Sequence, residues 1–202
     1  MSRKNKLILA SSSITRKEIL RKLGLRFSSV SPEIDETRFV KESPKHLALR
    51  LAREKNLAVA ENYPNALIIG SDQVAVCCGL ILSKPLTIEK AIEQLIWQRG
   101  KKTNFFTALA LSKNSGKNLK VSYVKSTVEF LDESLISDED ISNYISKAQP
   151  LNCAGSAKFE GIGISLIKKI QCEDPNALLG LPVIKLCKFL SEWGISLMNL
   201  SK

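Results

Sequence analysis

The sequence predicts an α/β fold with a mixed, twisted sheet and flanking helices, and three observations carry that expectation. A short apolar run, Lys6 to Ala10, ends in three serines and leads into a helical pattern, which reads as strand, turn and helix. Two longer segments, 104–112 and 119–131, alternate as strands do. The 202 residues, 44% hydrophobic and 25% charged, are enough to bury a real core in one large domain or in two small lobes. βα units beside long antiparallel strands argue for a mixed sheet rather than a purely doubly wound one.

The elements follow in order. The first helix carries Ile19, Leu20 and Leu23, and Gly24 stops it. A second begins at Ser43-Pro44 and runs to about Tyr63-Pro64, with Leu47, Ala48, Leu51, Ala52, Ala58 and Val59 on one stripe. Lys55 falls on that stripe, which leaves two readings open: snorkelling at the core's edge, or pointing into a cleft. Residues 66–70 read as a buried strand, placing Asp72 near its carboxyl end, where α/β sheets bind ligands. A hairpin over 74–85 would return Lys84 toward the same end. A helix over 87–98 is stopped by Gly100, and Ser137 caps another that Pro150 closes. A Gly-containing loop (151–163), a strand (163–170), a turn (174–182) and a helix from Pro182, at its first position, to Trp193 complete the chain. Without repeats or a low-complexity linker, residues 1–202 read as one domain.

Thirty Lys and Arg against twenty Asp and Glu give a net charge of +10, which favours a polyanionic partner, although most of the cations read as solvated helix faces. Five cysteines without a CxxC pair and a lone His46 argue against zinc, and adjacent Cys77 and Cys78 read as small buried hydrophobes on opposite faces of a strand. That usage suits a reducing cytosol, and the N-terminal apolar stretch is too short for a signal peptide or a span, so a cytoplasmic protein away from membranes is expected. No P-loop, dinucleotide fingerprint or Ser-His-Asp arrangement is present.

Two groups of residues suit phosphate chemistry. Ser11, Ser12 and Ser13 open a helix whose first turn carries Arg16 and Lys17, cations that oppose the helix dipole unless an anion binds there. The alternative is plain capping, with Thr15 and Glu18 forming a capping box. The second group is acidic: Glu33, Asp35 and Glu36, then Asp72 between two apolar stretches, where a solubilising charge does not belong. Carboxylates there could hold a divalent cation or take a proton from water.

The opening LILASSSITRKEILRKLG resembles the LxLASxSPRRxELLxxLG signature of the Maf family, and IDET, AREKN, IIGSDQVAV, SKPLT, CAGS and NALLGLPVIKL follow in that family's order and spacing. The similarity covers nearly the whole chain. It implies a Maf-like, ITPase-like fold of two lobes around a deep cleft, with Mg- or Mn-dependent hydrolysis of nucleoside triphosphates to monophosphate and pyrophosphate. Asp72 matches the family's catalytic base, Glu36 an acidic residue near the metal, with Asp72 as a second ligand. Ser13, Arg16, Lys55 and Lys84 match its phosphate contacts.

The family's SPRR becomes Ser13-Ile14-Thr15-Arg16 here, so one Pro and one Arg are missing. Members that act on 7-methyl-GTP also lack that Arg and carry the counterparts of Gln73 and Glu160, whereas members acting on dTTP and UTP tend to carry Arg, Thr and Gln at the positions of Thr15, Gln73 and Glu160. A cationic 7-methylguanine with N1–H and an exocyclic amine suits the carboxylate of Glu160. The expected substrate is therefore 7-methyl-GTP or a related guanine nucleotide. The alternatives are dTTP or UTP on the same fold, or a nucleic-acid-binding or cell-division regulatory protein without catalysis. No specific nucleic acid is expected as partner; a homodimer is compatible with the chain's size.

Overall fold

The computed structural model describes residues 6–200. The chain forms two compact units: residues through Asp72 with Thr107–Val124 and the chain from Asp174 onward make the first, and Gln73–Phe106 with Lys125–Glu173 make the second. Seven strands form a mixed sheet, and three of them, β3 (Ala66–Cys77), β5 (Lys102–Lys113) and β6 (Asn118–Phe130), run on from one unit into the other.

In the first unit β1 (Lys6–Ala10) lies between β2 (Phe27–Val30) and β3, parallel to both, with Ala10 opposite Gly70. Helix α1 (Ile14–Lys22) and helix α2 (Pro44–Ala60) are the crossovers. The consecutive apolar residues of β1 are explained by burial on both faces. Leu7 and Leu9 join Leu67, Ile69, Leu109 and Leu111 under α1 and helix α6 (Val183–Glu192), while Ile8, Ala10 and Ile68 pack on Val59 and Ala60 of α2. Each such Leu, Ile or Val side chain contributes about 1.5–3 kcal/mol relative to exposure. Gly70 is where α2 comes closest, since a Cβ there would lie 2.4 Å from the Ala52 carbonyl oxygen and 2.8 Å from the Cβ of Asn56. Asn56, fully buried, donates to the carbonyls of Ile68 at 2.6 Å and Ala110 at 3.1 Å, tying α2 to β3 and β5.

In the second unit the end of β3 turns back antiparallel into β4 (Leu80–Leu82), pairing Ala75 with Leu82. The two turn residues, Cys78 at φ 49° and Gly79 at φ 82°, have the left-handed backbone of a tight hairpin. Helix α3 (Ile88–Gln98) follows a Thr87 cap, and helix α4 (Asp138–Ala148) starts at a capping box between Ser137 and Asp140. β7 (Ile167–Gln171) pairs antiparallel with β6. Phe105, fully buried, meets the edge of Phe159 at 5.2 Å. Two short helices, α5 (Pro175–Leu178) and α7 (Leu197–Leu200), flank α6 in the first unit.

Several expectations shift. Only Cys77 is buried in a strand; Cys78 occupies the turn and is exposed, because a two-residue hairpin leaves it no place in the ladder. β3 continues through Cys77, so Asp72 stands mid-strand, between the part paired with β1 and the part paired with β4. The expected strand over 163–170 is half 3-10 helix, Ile162–Leu166, and its apolar spacing served that turn. Pro182 is the cap of α6 rather than its first residue. α1 has no Thr15–Glu18 capping box; its cap is Ser13, whose hydroxyl accepts from the Arg16 N–H. β2 and α7 were not anticipated, as FSSV shows no apolar alternation. No helix among the described residues is long and apolar enough to cross a membrane.

Candidate active site

A chain of ionic contacts lies in the first unit. The Lys55 ammonium donates to Asp72 Oδ1 at 2.7 Å and meets Glu36 Oε1 at 2.8 Å. Lys55 and Asp72 are each only 8% exposed, whereas the Glu36 carboxylate faces solvent. Of the two readings of Lys55, snorkelling is excluded, for its nitrogen ends on a buried carboxylate rather than in water. The close approach at Gly70 brings α2 near enough for this contact.

The loop carrying Glu36 is fastened to the same helix. Arg50 of α2 binds both oxygens of Glu42, at 2.8 and 2.9 Å, donates to the Thr37 carbonyl at 3.0 Å, and lies 4.0 Å from the Phe39 ring centre. Asp35 is spent within the loop, accepting the Thr37 N–H at 2.8 Å. Glu33 is exposed.

Arg16 approaches from α1. Its Nε donates to the Gly180 carbonyl at 2.7 Å and Nη1 to the Ser11 hydroxyl at 3.2 Å. The Gly180 carbonyl also faces the Ser71 hydroxyl at 2.9 Å, beside Asp72. Burial lowers Arg16 from the ordinary guanidinium value, and the charges of Asp72 and Glu36 act in the opposite direction. Asp72 is raised above the ordinary carboxylate range by burial, with Lys55 and Arg16 opposing the rise. A buried carboxylate with elevated proton affinity, beside two cations, is chemically able to take a proton from water. Ser13 and Thr15, both half-buried, belong to the turn that presents Arg16.

The remaining candidates belong to the second unit. Lys84 is exposed in the turn between β4 and α3, and Gln73, half-buried, follows Asp72 in β3. Glu160 is half-buried in the loop before the Ile162–Leu166 turn. Burial pushes the Cys153 thiol up; Glu160 adds to the rise while Lys158 and Lys84 oppose it, so Lys84 and Glu160 share one electrostatic neighbourhood.

Sequence reasoning missed Ser71, Gly180 and Arg50. Gly180 acts through its backbone carbonyl, which no residue type advertises, and Arg50 looked like one more solvated cation on a helix. Asp72 and Glu36 converge on one cation, the Lys55 ammonium, and carboxylate oxygens are the donors that magnesium takes. Among the described residues no three His, Cys, Asp or Glu side chains gather into a cage, and magnesium commonly takes one or two carboxylates with the substrate's phosphates completing its shell.

Residues 6–193 match the family model described as Maf-like protein. Among relatives, the chain is similar to the 7-methyl-GTP pyrophosphatase of Methylobacillus flagellatus, 48% identical across 95% of this chain and 98% of the relative. It is likewise similar to the proteins of that name from Nitrosospira multiformis and Colwellia psychrerythraea, each 46% identical across 95% of this chain, covering 96% and 94% of those proteins.

Proposed function

This chain belongs to the Maf family, and from that premise we propose that it is a nucleotide pyrophosphatase that hydrolyses 7-methyl-GTP, or a closely related modified guanine nucleotide, to the monophosphate and pyrophosphate. The observation that carries the chemistry is the buried Lys55 ammonium held between Asp72 and Glu36. The substrate assignment rests on the relatives' names, together with Thr15, Gln73 and Glu160.

Asp72 takes a proton from a water molecule as its oxygen attacks the α-phosphorus. The bond from that phosphorus to the oxygen bridging toward the β-phosphorus breaks, and pyrophosphate leaves with the electron pair. Burial helps, because a carboxylate that binds its proton more tightly is a stronger base. Lys55 keeps Asp72 ionised between turnovers and offers positive charge to the phosphates. Arg16, anchored through Nε on the Gly180 carbonyl and through Nη1 on the Ser11 hydroxyl, presents Nη2 to the anion at the start of α1, where Ser13 adds a hydroxyl. Lys84 neutralises charge on the leaving pyrophosphate. Glu36 and Asp72 would hold magnesium or manganese, which when bound screens phosphate charge and draws electrons from the phosphorus. Glu160 accepts from the guanine edge and complements the charge of the methylated ring, with Thr15 and Gln73 completing the selective set.

A pyrophosphate-release assay across 7-methyl-GTP, GTP, dTTP and UTP tests this reading, with 7-methyl-GTP expected to show the highest kcat/KM. Higher turnover of dTTP or UTP would overturn the substrate assignment. Chelation is expected to stop release, and added Mg or Mn to restore it.

A further inference from the structure

In the second unit, the turn carrying Lys84 and the loop leading to Glu160 are held by one side chain. Gln94, on α3 and half-buried, donates through Nε2 to the Ser83 carbonyl at 3.0 Å and accepts through Oε1 from the Ser156 hydroxyl at 2.7 Å. Ser83 precedes Lys84 directly. Ser156 is fully buried in a left-handed conformation, φ 56°, at the head of the segment that reaches Glu160. The Ser83 carbonyl also receives the Gly155 N–H at 3.4 Å, and the Leu86 N–H reaches the Leu151 carbonyl at 3.1 Å, so turn and loop lie side by side.

The next turn of α3 backs this clamp. Gln98, fully buried, donates to the Gly155 carbonyl at 2.7 Å and to the Gln94 carbonyl at 3.0 Å, while the Thr103 hydroxyl donates to its Oε1 at 2.9 Å. Tyr144 finishes the loop: its hydroxyl accepts the Lys158 N–H at 2.9 Å and faces the Ser156 carbonyl at 3.3 Å. The clamp is neutral throughout. An amide suits the task because it donates to one segment and accepts from the other at once, which neither a carboxylate nor an ammonium does.

We propose that Gln94 is a positioning residue that sets the phosphate-neutralising Lys84 and the base-selecting Glu160 in register with each other. The inference rests on the reading that those two residues contact the nucleotide. Its consequence is that the two arms of one side chain govern separable properties: the Ser83 arm governs affinity for every triphosphate, and the Ser156 arm governs choice of base.

The test compares kcat and KM for 7-methyl-GTP and dTTP in Gln94→Leu, Ser156→Ala and the double variant, with melting curves for each and with Lys84→Ala and Glu160→Gln as references. Ser156→Ala removes only the base-selecting arm and is expected to lower the preference for 7-methyl-GTP about fivefold to tenfold, the scale of one hydrogen bond. Gln94→Leu removes both arms, raising KM for both nucleotides by a similar factor and lowering selectivity as far as Ser156→Ala does. The double variant should be no less selective than Gln94→Leu, since both remove the same bond. Selectivity losses that multiply in the double variant, or a Gln94→Leu enzyme that loses activity equally on all nucleotides with selectivity intact, would overturn the proposal. If Lys84→Ala and Glu160→Gln change neither affinity nor selectivity, the underlying reading falls and this inference with it. If those references respond while Gln94→Leu and Ser156→Ala do not, the inference alone fails.

Discussion

The charged cluster around Asp72 and the neutral clamp around Gln94 solve opposite problems. In the first unit a carboxylate is buried against its preference, and Lys55 and Arg16 oppose the cost. In the second, amides, hydroxyls and backbone groups satisfy one another and no charge is buried. The difference lies in what a buried group is asked to do: Asp72 is buried where a proton is proposed to move, the buried Asp174 carboxylate is satisfied by the N–H groups of Asn176 and Ile184, and the clamp holds its loops with neutral groups. A neutral network fixes geometry with groups that stay uncharged, burial holding the Tyr144 hydroxyl still further from ionisation, whereas an ionic one sets geometry and reactivity together.

The contrast is broken most severely at Asp72. Asp72→Asn keeps the shape and removes the base, and kcat is expected to fall by about 10²–10⁴, a general base's usual contribution. A wild-type rate in that variant would remove Asp72 from the mechanism. Next comes Gly70→Ala, whose added methyl meets the Ala52 carbonyl oxygen at 2.4 Å. Pushing α2 off β3 should cost about 1–3 kcal/mol in denaturant unfolding and lower kcat by lengthening the Lys55–Asp72 contact. Retention of both stability and activity would show that the close approach is not what positions Lys55.

Lys55→Met sharpens the comparison through pH. Catalysis needs Asp72 ionised, and burial raises its value above 3.8, so kcat/KM should fall on acidification through a midpoint above the ordinary carboxylate range. Lys55 opposes that rise; without it the acid limb moves to higher pH, and a limb that stays put or moves down contradicts the assignment. The smallest effect is expected from Ser13→Ala, which loses the α1 cap and should lower stability by about 0.5–1 kcal/mol, read from the melting midpoint.

The repetitive parts of the fold were legible in the sequence. Ser43, Thr87 and Ser137 marked three helix starts because capping is local chemistry, and β5 and β6 showed as long alternations. What escaped depended on distant partners. β2 has too few apolar residues to announce a strand, and pairing with β1 alone makes it one. The meeting of Glu36, Lys55 and Asp72 was suggested by residue type and by resemblance, but their common contact follows from the α2–β3 approach at Gly70. Gln94 gave no signal, since a helical glutamine looks the same whether it faces water or clamps two loops.

The interleaving of the units bears on how the protein emerges from the ribosome. Leu7, Leu9 and Leu20 share a core with Leu181, Leu186, Phe189 and Leu190, so the earliest strand waits for the last helices before its apolar face is covered. The second unit, drawn wholly from residues 73–106 and 125–173, has all its chain available sooner. Vectorial synthesis therefore leaves the half bearing Asp72 exposed longest and most dependent on protection from aggregation.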